Sequence, residues 1–124
     1  MDMRSKIAVL EKSFNLALDV VRFCKNLAEN KKEYVLSKQL IKAGTSIGAN
    51  IQEAQSAESK QDFIHKLSIS LKEARETKYW LLLITKGSYA TAEDTNDLLH
   101  TTEEVTSLLV SIIKSAKKQK AYNA

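Results

Sequence analysis

Hydrophobic residues recur along the chain at intervals of three and four, the spacing that places apolar side chains on one face of an α-helix. This pattern predicts four helices, at residues 5–29, 33–57, 59–86 and 92–118. Short polar segments separate them. Since long amphipathic helices joined by short links pack antiparallel, we predict a single all-α domain over residues 1–124, an up-down-up-down four-helix bundle.

The first predicted helix carries more apolar residues than one core face requires. One stripe at heptad spacing is expected to face the core, and it consists of Ile7, Leu10, Phe14, Ala17, Val21, Cys24 and Ala28. A second stripe lies beside it and consists of Leu16, Val20, Phe23 and Leu27. A helix in a monomeric bundle buries an apolar sector of about 100°. The second stripe therefore predicts a second buried contact, which could be another subunit. Trp80 on the third helix is either an anchor of that interface or a plain core residue.

Each of the other helices has a core stripe at the same spacing. The second helix is expected to bury Leu36, Leu40, Ile47, Ile51 and Ala54. The third is expected to bury Ile64, Leu67, Leu71, Ala74 and Leu81, and the fourth Leu98, Thr102, Val105, Leu109, Ile112 and Ala116. Ser59 with Asp62 and Thr91 with Asp94 have the form of a capping box, which predicts two helix starts. Gly87 predicts a left-handed cap at the end of the third helix.

Two of the three glycines, Gly44 and Gly48, lie inside the second predicted helix. A glycine there costs about 1 kcal/mol relative to alanine, so the pair predicts close approach of a neighbouring helix. Asn50 falls toward the packed face, within helical reach of Ser46 and Glu53. These polar groups form either a buried hydrogen-bond network that fixes helix register or a site for binding or catalysis.

Composition and motifs exclude several classes of function. Proline is absent and 44% of the residues are hydrophobic, which favours a folded helical protein. The single cysteine, Cys24, allows no internal disulfide and lies on an apolar face, as a buried thiol does. Neither histidine has metal-ligand spacing, and Gly44 and Gly48 lack the lysine of a phosphate loop. We therefore expect no catalytic residue, no metal and no cofactor.

The N-terminal residues and the apolar runs bear on location. Charged residues interrupt the N-terminus, so we see no targeting segment. The longest compact apolar run, residues 79–84, is too short to cross a bilayer. We expect a cytoplasmic protein without a membrane partner.

Charge is distributed unevenly around a net value of +4. The fourth predicted helix begins with acids and ends with lysines, an order that complements the helix dipole. The basic residues could instead form a footprint for nucleic acid, since each neutralised phosphate releases counterions. The candidate contacts are Lys38, Lys42, Lys66, Lys72, Arg75, Lys78, Lys114, Lys117 and Lys118.

Residues 40–54 (LIKAGTSIGANIQEA) and 59–64 (SKQDFI) resemble the four-helix-bundle proteins encoded in intervening sequences of bacterial 23S ribosomal RNA genes. The accessory variability proteins of diversity-generating retroelements look similar and belong to the same superfamily. The residues that match the family motif are Ser46, Ile47, Gly48, Ala49, Asn50, Ile51 and Glu53, followed by Ser59, Lys60 and Phe63.

The resemblance implies a homopentameric barrel with a basic outer surface and no known catalytic activity. In the accessory proteins that surface binds nucleic acid and a reverse transcriptase. We therefore expect a non-enzymatic oligomeric protein that binds RNA or DNA through the basic residues named above. The alternative is a protein–protein adaptor that docks a reverse transcriptase or a ribosomal component, with nucleic acid incidental.

Overall fold

The computed structural model describes the backbone of residues 1–123 and the side chains of residues 1–119. It contains four helices: α1 (Met3–Lys31), α2 (Val35–Ala54), α3 (Lys60–Lys86) and α4 (Ala92–Asn123). Within the described backbone there is no β-strand, which confirms the predicted all-α class. Each helix packs against its neighbour in the chain, and α1 also packs against α4. None of the described helices is both long and apolar enough to cross a membrane.

Side-chain contacts show the direction of neighbouring helices. Lys60 at the start of α3 donates to Gln119 near the end of α4, at 3.2 Å. At the opposite ends of the same helices, the hydroxyls of Thr85 and Thr95 lie 2.9 Å apart. Along the α1–α2 and α2–α3 seams, later residues of one helix contact earlier residues of the next helix. These neighbours are therefore antiparallel as well.

The predicted capping box is complete at the start of α4 and half formed at the start of α3, where the Asp62 carboxylate accepts from the N–H of Glu58 and not from that of Ser59. The Ser59 hydroxyl accepts a hydrogen bond from the backbone N–H of Asp62 at 3.0 Å, which starts α3. At the start of α4 the bonds are reciprocal: the Asp94 N–H donates to the Thr91 hydroxyl at 3.2 Å, and the Thr91 N–H donates to the Asp94 carboxylate at 3.0 Å. These two helix starts were readable from sequence because the groups that form them lie three residues apart.

All four helices differ from their predicted bounds, α3 only in that it begins at Lys60 and not at residue 59. The second helix begins at Val35, not at residue 33, because the Glu33 carboxylate accepts from the N–H groups of Leu36 and Ser37 and so precedes the helix. It ends at Ala54, not at residue 57, because the next backbone bonds close tighter three-residue turns. The first helix is two residues longer at each end, and α4 continues to Asn123.

The end of α3 also differs from expectation. Gly87 was predicted to take the left-handed conformation, yet its φ is −79°. The next residue, Ser88, has the positive φ of 68°. The N–H of Gly87 donates to the carbonyl of Leu83, so the glycine still terminates the helix.

Along α1 the structure reverses the two apolar stripes. The buried residues are Val9, Ser13, Leu16, Val20, Cys24 and Leu27. Of the predicted core stripe, Cys24 is buried and Leu10 is half-buried against the core, but the large members Ile7, Phe14 and Val21 are exposed, Phe14 at 68%. The reason is that Val20 packs directly against Gly44 of α2, which turns the Val20 stripe inward.

This reversal corrects the predicted subunit interface. Leu16, Val20 and Leu27 were expected to contact another subunit, but they are enclosed within the core of a single chain. That part of the prediction is wrong. Phe23 and Trp80 are half-buried and pack against the same core, so their place at an interface stays a prediction.

The remaining core largely matches expectation. All six predicted residues of α4 are buried, and α2 buries its stripe except for Leu36, which is half-buried. On α3, Ile64 and Leu71 are half-buried while three polar or aliphatic positions, Ser70, Thr77 and Ile84, complete the buried stripe. The Ser70 hydroxyl donates to the carbonyl of Ile47 at 2.8 Å, so it links α2 and α3 inside the core.

Candidate functional site

The side of α3 that faces away from the core carries cations and an aromatic ring. The core takes every third or fourth residue of α3 from Leu67 to Ile84. This leaves Lys72, Arg75 and Tyr79 on the opposite side, and all three are exposed. Their spacing of three and four residues places them in one row along the helix.

The structure separates the four cations of α3 that were predicted to bind nucleic acid. Lys66 pairs with Glu53 of α2 at 3.3 Å, and Lys78 pairs with Glu103 of α4 at 2.6 Å. Lys72 and Arg75 form no ion pair with any side chain in residues 1–119. The charges of Lys72 and Arg75 are therefore available to an external anion.

Two lysines of α2 lie at the same levels along the bundle as residues of this row. The Ser70–Ile47 hydrogen bond fixes the register of the antiparallel pair, so Lys42 is level with Arg75 and Lys38 with Tyr79. Both lysines are exposed. We call Lys38, Lys42, Lys72 and Arg75 the α2–α3 cation group.

The half-buried carboxyl group of Glu73 is affected by the charges of this cation group. Burial raises the pKa of Glu73, and the charge of Glu76 raises it further, whereas Lys72 and Lys42 act to lower it. Lysines from both helices therefore lie within electrostatic reach of the same carboxyl group. Glu76 is exposed on the same side of the molecule and offsets part of the positive charge.

The lysines near the end of α4 form a separate group. Lys114, Lys117 and Lys118 are exposed, and the Lys60–Gln119 contact places this end of α4 beside the start of α3. Lys72 lies twelve residues further along α3, about 18 Å at 1.5 Å per residue. The structure therefore does not gather the predicted cations into one patch.

The motif residues of α2 have mainly structural contacts. Ile47 and Ile51 are fully buried. The Asn50 amide donates to the backbone carbonyl of Ser46 at 2.8 Å, while Glu53 turns to Lys66. The side chains of Ser46 and Asn50 bond to the helix's own backbone, whereas Glu53 is exposed and pairs with α3, so the three groups do not form the single buried network that was one of the two predictions.

The outward side of the same motif forms the floor of an open groove between α1 and α2. Gly48, Ala49 and Thr45 line it from α2, and Leu10 and Phe14 line it from α1. Phe14 belongs to the exposed stripe of α1, which consists of Ile7, Phe14 and Val21. Sequence reasoning missed this surface because it assigned the stripe to the core.

A second groove, between α1 and α4, was not anticipated either. The Lys12 ammonium pairs with Glu104 at 3.0 Å, and the His100 ring lies 3.5 Å from the same carboxylate. Lys12 and Glu104 are 92 residues apart in the chain, so no local spacing could reveal the pair. Among the described residues, no group of three or more histidine, cysteine or acidic side chains could hold a metal ion.

Comparisons with known proteins identify the family of this chain. The sequence profile of the 23S rRNA-intervening sequence protein family matches residues 5–111. The chain belongs to this family. A crystal structure described as a protein with unknown function from the S23 ribosomal protein family of Bacteroides thetaiotaomicron VPI-5482 is 46% identical, with a TM-score of 0.87. The alignment covers 89% of this chain and 98% of that one. No curated protein gave a significant match.

Membership of the 23S rRNA-intervening sequence family confirms the resemblance seen in residues 40–54. The likeness in fold extends over nearly the whole solved structure, so the bundle described here is the fold of that S23-family protein as well. Neither comparison assigns a biochemical activity to the fold.

Proposed function

We propose that this chain is a non-enzymatic oligomeric binding protein that contacts nucleic acid through the α2–α3 cation group. The observation that supports this most directly is the exposure of Lys72 and Arg75 without a carboxylate partner in residues 1–119. Only a cation that is not already neutralised gains from replacing the counterions of a phosphate. Lys66 and Lys78, which are paired within the chain, are left out of this proposed contact set.

Self-assembly, as a homopentamer, is the second part of the proposal. The exposed stripe of α1 has the heptad spacing of a helix–helix seam, and Ile7, Phe14 and Val21 on it face solvent in the single chain. A contiguous apolar surface of this kind is typical of a protein interface. Assembly would repeat the cation group on each copy, so that weak phosphate contacts act together.

The test of nucleic-acid binding is a fluorescence anisotropy titration of labelled RNA and DNA in rising salt. We expect the double variant Lys72→Glu, Arg75→Glu to bind at least tenfold more weakly and with a shallower salt dependence, because two phosphate contacts are removed. Arg4→Glu with Lys25→Glu is the matched control, since it changes the same charge at two exposed positions of α1. Equal affinities of the two double variants would contradict the proposed surface.

The alternative, a protein–protein adaptor, is favoured by the exposed apolar stripe of α1. An adaptor that docks a reverse transcriptase or a ribosomal component through this stripe would keep its partner in the Lys72→Glu, Arg75→Glu variant and lose it in Phe14→Asp. A nucleic-acid-binding protein would instead lose its nucleic acid in the Lys72→Glu, Arg75→Glu variant, so this double variant separates the two functions. Binding assays with purified components distinguish the two.

A further inference from the structure

An exposed aromatic ring lies within the row of cations on α3. The Tyr79 side chain is 58% exposed, although tyrosine can bury most of its ring. Its ring and that of Trp80 are 5.0 Å apart between centroids, at an interplanar angle of 78°. Trp80 in turn packs against the core. The Tyr79 ring is therefore accessible to solvent, and it lies against Trp80, which the core holds in place.

Positive charge flanks this ring on both sides along the helix. Arg75 lies one turn before Tyr79, and Lys72 lies two turns before it. Lys86 lies two turns after it, about 10 Å away along the axis. Leu83, one turn after Tyr79, is also exposed and extends the apolar surface. The row thus presents cations at both ends and an aromatic surface between them.

This arrangement matches the chemistry of single-stranded nucleic acid. Proteins that bind single strands combine positive charge along the backbone with aromatic rings on which bases stack. In a duplex the base faces are covered by neighbouring pairs, so a ring on the convex side of a helix could not reach them. A duplex would meet the cations alone.

We propose that Tyr79 stacks on an unpaired base while Arg75, Lys72 and Lys86 contact the adjoining phosphates. This inference rests on the proposed nucleic-acid function and narrows it to single strands. The exposed carboxylate of Glu76 lies in the same stretch of α3 and repels the phosphate backbone. Replacing it with glutamine is expected to tighten single-strand binding.

The experiment compares a labelled oligouridine single strand with an RNA duplex of the same length, by anisotropy. We expect Tyr79→Ala to weaken single-strand binding on the order of tenfold and to leave duplex binding unchanged, since one stacked base is lost. Tyr79→Phe should retain single-strand affinity because it keeps the ring. Tyr34→Ala is the matched control, since Tyr34 is 60% exposed at the start of α2.

Trp80, the chain's single tryptophan, supplies an independent signal. A base stacked on Tyr79 should change Trp80 fluorescence when the single strand is added, and the duplex should not. Wild-type protein that binds neither nucleic acid would overturn the proposed function itself. Binding of the single strand that is equal in the wild type and Tyr79→Ala would overturn the stacking proposal alone. A lower solution mass of Tyr79→Ala would also overturn it, because Tyr79 would then be a subunit contact.

Discussion

Gly44 shows how one residue sets the distance between two helices. A Cβ atom at this position would lie 2.8 Å from Cγ1 and 2.9 Å from Cγ2 of Val20, closer than side chains tolerate. Glycine is therefore required by the neighbouring helix and not by its own backbone, which is helical. The same valine is the residue whose inward position decides which stripe of α1 forms the core.

We expect Gly44→Ala to lower the free energy of unfolding by about 1 kcal/mol. Overpacking a core costs about 1–3 kcal/mol, and alanine returns about 1 kcal/mol of helix propensity. Gly48→Ala is the control, since its Cβ would approach Ser13 no closer than 3.4 Å, an ordinary contact. That variant should be neutral or slightly more stable. Urea denaturation measures both, and stabilisation by Gly44→Ala would contradict the packing argument.

At the scale of the helix, the start of α4 links stability to pH. The Thr91 backbone N–H bonds to the Asp94 carboxylate and lowers its pKa below the usual value for aspartate, and the Thr91 hydroxyl adds to this effect. Because the folded pKa is depressed, the ionised carboxylate stabilises the folded state above the unfolded pKa. That contribution is lost as pH falls through the lower folded pKa.

We therefore expect Asp94→Asn to reduce the acid sensitivity of the fold. Thermal melts between pH 6 and pH 2 should show a smaller loss of stability in the variant below about pH 4, the range where aspartate titrates. Thr91→Ala should cost about 1 kcal/mol at neutral pH through the lost cap. Parallel pH profiles of wild type and Asp94→Asn would show that the capping bond does not hold the ionised form.

The helices also show how far sequence reasoning reaches. The caps at Ser59 and Thr91 and the buried stripe of α4 were predictable because they depend on residues within one or two turns. The core face of α1 was not, since two adjacent stripes share heptad spacing and Ser13 makes the buried one look polar. The Ser13 hydroxyl donates a hydrogen bond to the carbonyl of Leu10, so burying it costs little free energy.

The candidate site also combines features that the sequence predicts with features that depend on tertiary contacts. Exposure of Lys72 and Arg75 follows from the period of α3 alone. The neutralisation of Lys66 and Lys78 depends on Glu53 and Glu103, which lie on two other helices. Tertiary packing therefore decides which cations remain available to bind an anion. A sequence pattern identifies only the candidates.

At the scale of the whole molecule, the exposed stripe of α1 predicts self-association, and the family resemblance implies that five copies assemble. We expect a mass five times 13.9 kDa by light scattering behind a sizing column, with Ile7, Phe14 and Val21 buried between copies. Phe14→Asp should release monomers, because a charge cannot be buried there without a partner. Val35→Asp is the matched control, since Val35 is 71% exposed at the start of α2, outside the stripe.

The two possible masses have different consequences for function. A pentamer multiplies the net charge of +4 by five and repeats the α2–α3 cation group around one particle, which favours binding to a polyanion. A wild-type monomer would contradict the assembly part of the proposal. It would leave the apolar stripe of α1 open to a different protein, and the adaptor function would then explain the exposed Phe14 better than nucleic-acid binding does.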